Sequence, residues 1–90
     1  MPRKIPILSL EDFETKSKKD LVMKSIVDGI TEGIELELES ISIAEIKHYD
    51  ITINASKSEW KPGLEKAMDF YIEKEEYEEC SKIRDLINKL

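Results

Sequence analysis

Residues Trp60 to Leu90 read WKPGLEKAMDFYIEKEEYEECSKIRDLINKL, and the spacing of their apolar positions decides the fold. Trp60, Leu64, Ala67, Met68, Tyr71 and Ile72 fall on one face of a helix, three and four residues apart. Tyr77, Cys80, Ile83, Ile87 and Leu90 form a second such face. Between them Glu73-Lys74-Glu75-Glu76 has no apolar residue, no glycine and no proline. One continuous helix would have to carry this polar gap through its seam, so the pattern favours two antiparallel helices with a short connection. Pro62 lacks an N–H and belongs near the start of the first of these helices. Ser58 or Lys61 is then the N-cap, with Ser58 chemically the better. Trp60 reads as the core anchor of the hairpin.

Upstream, the period changes to two. Ile51, Ile53 and Ala55 alternate with Thr52 and Asn54, which predicts a strand after a turn near Lys47-His48-Tyr49-Asp50. Ile34, Leu36 and Leu38 alternate with Glu35, Glu37 and Glu39, which predicts a half-buried strand with a carboxylate outer face. Ile41 and Ile43 fall on the other parity, so a turn or bulge at Glu39-Ser40 is expected; Ile46 breaks parity again. Before these strands, Asp20 can cap a helix running to about Glu32, with Met23, Ile26, Val27 and Ile30 on its apolar face. Gly29 weakens that helix by up to about 1 kcal/mol, and Gly33 is placed to end it. Met1 to Leu8 is extended, because Pro2 and Pro6 confine any strand there to an edge. Ser9 to Asp12 has the spacing of a capping box and predicts a short helical turn through Phe13. Lys16-Ser17-Lys18-Lys19 is a basic connection that reads as solvated linker.

The expected fold class is α+β: a small antiparallel sheet, a meander, with a preceding helix and a C-terminal antiparallel helical hairpin. Residues 1–19 are an N-terminal arm, 20–57 the helix and meander, and 58–90 the hairpin, together one small domain. At 90 residues such a chain buries only about 60% of its unfolded surface, so its packing must be efficient. The net charge of −6 argues against a non-specific grip on phosphate or on anionic membranes. One cysteine excludes an internal disulfide and a cysteine metal cluster. No apolar run approaches a membrane span and no signal peptide is visible, so a cytoplasmic protein is expected.

The run EEYEECSKIRDLI, Glu75 to Ile87, resembles the UVR motif, a helical hairpin of the repair proteins UvrB and UvrC that also occurs in regulators and partners of bacterial stress proteases. Tyr77 and Glu78 match its aromatic–Glu pair, and Ile83, Arg84, Asp85 and Ile87 match its tail. Cys80 and Ser81 stand where the motif usually has paired alanines. The resemblance covers the last third of the chain and implies protein–protein contact rather than catalysis. The tryptophan-led hairpin also resembles small proteins of large tailed phages.

No constellation in the chain carries catalysis. His48 is the only histidine, no serine or cysteine has an assigned base, and the three glycines lack the spacing of a phosphate loop. Glu35, Glu37 and Glu39 would stand roughly 6–7 Å apart along a strand, a row that more often solvates an edge than binds metal. Cys80 reads as a small core residue. The expectation is therefore a non-enzymatic module with no cofactor and no metal. It would bind a larger protein, or itself, through Tyr77, Glu78, Ile83, Arg84 and Asp85, with no direct nucleic-acid or membrane binding. The alternative is an acidic inhibitor that presents its carboxylates, Glu35, Glu37, Glu39 and the Glu73–Glu79 cluster, where nucleic acid would sit.

Overall fold

A computed structural model describes residues 4–15 and 17–90. Met1, Pro2, Arg3 and Lys16 lie outside the described residues, and with them part of the extended start and of the basic connection. The order of elements is β1 (Ile7–Leu8), α1 (Leu10–Thr15), α2 (Lys19–Glu35), β2 (Ser40–Ile46), β3 (Ile51–Ser56), α3 (Lys57–Glu73) and α4 (Tyr77–Lys89). The fold is α+β, with a three-stranded sheet, a preceding helix and the expected C-terminal hairpin of α3 and α4. Val27 and Ile30 of α2, Ile41 of β2, Ala55 of β3, Trp60 and Leu64 of α3, and Ile83 and Leu86 of α4 share one apolar cluster.

The sheet differs from the expected meander. Its order is β1-β2-β3, with β1 parallel to β2 and β3 antiparallel to it. The stretch Ile34–Leu38 is not a strand: Ile34 and Glu35 close α2, and Leu36-Glu37 form a turn. Ile34 continues the helical stripe of Val27 and Ile30, and that stripe prevails over the local alternation. The third place in the sheet goes to β1, an edge strand as Pro6 requires.

Strand β2 solves its parity problem further along than expected. The register shifts between Ser42 and Ala44, so Ile43 is the extra residue of a bulge. Ile41, Ala44 and Ile46 are thereby all buried. The bulge carbonyl of Ile43 accepts a hydrogen bond from the Ser25 hydroxyl of α2 at 2.6 Å. Ser25, Gly29 and Gly33 are buried four residues apart and give α2 a small-residue stripe. At Gly33 a Cβ would lie 2.5 Å from Trp60 Cη2, so the glycine is there for the indole.

The helix boundaries move by a few residues. Helix α2 starts at Lys19, and Asp20 lies in its first turn, next to the helix's positive pole, rather than at the cap. It ends beyond Gly33, at a Leu36 cap followed by Glu37 at φ 54°. The N–H groups of Glu37 and Leu38 return to the carbonyls of Ile34 and Gly33, at 3.4 and 2.9 Å, which is a Schellman ending. The N-cap of α3 is Ser56, not Ser58: Glu59 Oε1 accepts from the Ser56 hydroxyl at 2.8 Å and from its N–H at 3.4 Å. Pro62 therefore sits inside α3 rather than in its first turn. Near the chain start, Ser9 Oγ accepts from the Asp12 N–H at 3.0 Å and caps α1 as its spacing predicts. Residues 47–50 form the expected turn, with His48 and Asp50 both at positive φ.

Candidate interaction hairpin

The hairpin is built on Trp60. Its ring is 1% exposed, and its Nε1–H donates to the Ala55 carbonyl at 3.1 Å. Leu64, Ala67 and Tyr71 continue its buried stripe along α3, while Ile72 is about half exposed. Cys80, Ile83 and Leu86 form the buried stripe of α4. Leu86 was not on the stripe read from the sequence; it replaces Tyr77 and Leu90, which are exposed. The Cys80 thiol lies in the core, 4.0 Å from the Met68 carbonyl.

The connection is held at several points. Glu75 adopts φ 59°, and the N–H groups of Glu75 and Glu76 bond the carbonyls of Ile72 and Tyr71, both at 2.9 Å. Lys74 reaches from the turn to Asp20 of α2, Nζ to Oδ1 2.7 Å, and lies 4.8 Å from the centre of the Phe70 ring. The hydrogen bond to Asp20 pushes the Lys74 pKa above its ordinary value. Burial raises the Tyr71 pKa, and the charges of Glu79 and Glu76 add to that.

The sequence-predicted contact residues separate into two groups. Tyr77, Glu78, Arg84 and Asp85 are exposed. Ile83 is fully buried and belongs to the core, so it cannot meet a partner from this position. Tyr77 and Arg84 are seven residues apart, which puts them on one face of α4 about 10 Å apart along its axis. Among the described residues Arg84 makes no ion pair. This outward face thus carries an aromatic ring that is 61% exposed and an uncommitted guanidinium, beside an acidic turn with Glu73, Glu75, Glu76, Glu78 and Glu79.

Residues 62–90 match the UvrB/uvrC motif, UVR. The motif is a helical hairpin used for interaction, and here most of α3 with all of α4 supplies it. No curated protein and no solved structure matches the chain. Nothing found speaks for the resemblance to phage proteins.

The carboxylate row of the alternative reading is not built. Glu35 ends α2, Glu37 is the left-handed residue after it, and Glu39 lies in the bend before β2, so the three do not line one strand face. Among the described residues no group of histidine, cysteine and carboxylates is arranged to hold a metal, and no helix is long and apolar enough to cross a membrane.

Sequence reasoning missed a groove of about 670 Å³ between α1, α2 and α3. Phe13, Val22, Met23 and Phe70 give it apolar walls, and Lys18, Lys66 and Asp69 are among its charged lining. Both phenylalanines of the chain line it, and Lys19 Nζ stands 5.5 Å from the centre of the Phe70 ring. Two isolated phenylalanines 57 positions apart carry no local pattern, so only the folded chain brings them together.

Proposed function

We propose that the chain is a non-enzymatic interaction module that docks a protein partner on the outward face of α4. The observation that carries this reading is the pairing of Tyr77 with Arg84 on the exposed face of a hairpin that matches the UVR motif. Tyrosine and arginine are the residue types that most often dominate binding energy at interfaces. Arg84 offers a planar fork to a carboxylate of the partner, and lysine does not reproduce that geometry. Glu78 and Asp85 flank the pair and favour a partner with complementary basic groups at the rim.

The test uses the tagged parent chain, Arg84→Ala and Arg84→Lys as baits in one lysate, with thermal melts on the same preparations. A protein retained by the parent and lost from both variants, at unchanged melting temperature, supports the reading. Equal recovery by all three baits would mean that the Arg-Asp tail of the hairpin is not a contact.

A further inference from the structure

The two edges of the sheet are unlike. Strand β1 is two residues long and follows Pro6, both devices that stop an edge from pairing. Strand β3, Ile51 to Ser56, has six residues with no charge and no proline, in a chain of net charge −6. Its outer edge can be read from the ladder. Glu45, and Lys47 just beyond β2, donate to Pro6 and Leu8 at 3.0 and 2.7 Å, so their backbone groups point toward β1. Thr52 stands opposite Glu45 and therefore turns its own N–H and C=O away from β2. From the other end, Lys57 donates to Glu39 at 2.8 Å, and alternation along the unshifted register turns the backbone of Asn54 outward too. Among the described residues no hydrogen bond outside the ladder closes on the backbone of Thr52 or Asn54. Both residues are exposed.

We infer that this edge pairs with the same edge of a second copy, antiparallel, joining two three-stranded sheets into one of six strands. The register follows from which groups face out. Thr52 of one copy exchanges two hydrogen bonds with Asn54 of the other and the reverse, four in all, with Ile53 opposite Ile53 on the axis. Each face of the join is then matched. On the core side, Ile53 meets its own copy and Ile51, half exposed in the single chain, meets Ala55. On the outer side, Thr52 meets Asn54, whose side chain already accepts from the Ser42 hydroxyl at 2.9 Å. No like charges stand opposite one another along the strand. At each end Asp50 of one copy comes toward the end from which Lys57 leaves the other, and those charges are opposite. An arbitrary extended peptide would supply the backbone bonds but not this match of side chains. The pairing surface is distinct from the outward face of α4 and does not depend on the hairpin reading.

The experiment is sedimentation equilibrium of the full chain across a wide concentration range, with melts of every variant. Asn54→Pro removes one outward donor per copy and leaves the backbone bonds to β2 in place, giving up only the exposed side-chain bond from Ser42, and proline is tolerated at such a position. Thr52→Lys places a charge beside the join and is the second variant should the proline disturb folding. The parent is expected to reach twice the mass of one chain as concentration rises. Each folded variant is expected to associate at least about tenfold more weakly, while Arg84→Ala associates like the parent. A parent that keeps the mass of one chain at every concentration overturns the proposal. So does a dimer that survives both edge variants with unchanged affinity, or one that Arg84→Ala abolishes.

Discussion

Helices α2 and α3 stop in the same way, although only α2 has a glycine near its end. Each finishes with a glutamate in the left-handed region, Glu37 at φ 54° and Glu75 at φ 59°, whose own N–H and that of the next residue return to the last turn. Gly33 is four residues too early to serve the turn at Glu37. It lies inside α2, against the edge of the Trp60 ring and the Ile41 side chain. The difference teaches that a glycine near a helix end can be reserved for close approach, leaving the strained turn residue to an ordinary side chain. A left-handed non-glycine residue costs about 1–2 kcal/mol, and both ends carry that cost.

The comparison breaks most visibly at Gly33. Alanine there would put its Cβ 2.5 and 2.9 Å from two carbons of Trp60 and 3.0 Å from Ile41. The indole cannot swing aside without losing its bond to the Ala55 carbonyl. Overpacking of about 3 kcal/mol, less about 1 kcal/mol for the better helix propensity of alanine, leaves a net loss of about 2 kcal/mol. A chemical-denaturant titration of Gly33→Ala measures it. A variant as stable as the parent would mean that the indole and Ile41 give way at little cost, and that close approach does not explain the glycine.

The turn residues are expected to respond in the opposite sense. Glu37→Gly and Glu75→Gly each relieve the left-handed strain but loosen the unfolded chain, for a net gain of about 0.5–1 kcal/mol. The two gains should be similar if the endings are equivalent. Glu75 also sits among Glu73, Glu76, Glu78 and Glu79, so its replacement relieves charge repulsion as well. Glu75→Gln removes the charge without the backbone relief and separates the two effects. Melts in which neither glycine variant gains stability would show that strain at these ends is absorbed elsewhere.

The same contrast explains what was legible in the sequence. The hairpin was readable because both arms repeat at helical spacing and the polar gap at 73–76 interrupts the apolar seam between them. The joint between α2 and β2 was not, because the stretch from Ile34 to Glu39 satisfies both periods at once. Ile34 extends the stripe of α2, while the alternation with glutamates imitates a strand. Leu36, expected in the core, is 62% exposed as the cap of the helix. At the candidate site the motif residues Tyr77, Glu78, Arg84 and Asp85 came out exposed. Ile83 belongs to the apolar stripe that its helical spacing already marks, and similarity to a motif does not move such a position to the surface. The outward groups of β3 depend on the bulge at Ile43, which the parity break at Ile46 signals without locating, and on pairing with β1, which has no local signature.

The smallest expected effect lies in a feature that the two endings do not share. The end of α3 is tied to the start of α2 by Lys74 and Asp20 at 2.7 Å, whereas among the described residues no ion pair holds the end of α2. Both side chains are substantially exposed, so solvent and salt screen the attraction. The hydrogen bond to Asp20 raises the folded-state pKa of Lys74 above the ordinary value of 10.5. A group whose pKa is raised by folding contributes stability that is fully present below its unfolded pKa and lost as pH rises through the folded one. The parent should therefore melt slightly above Lys74→Met at neutral pH, and the gap should close in strongly alkaline solution. Methionine keeps an unbranched side chain beside Phe70 while removing the charge. In Asp20→Asn the stack of Lys74 on Phe70 remains, so that variant should retain part of the gap at neutral pH. A gap between parent and Lys74→Met that is the same at neutral and strongly alkaline pH would assign the contribution of Lys74 to its packing and not to its charge.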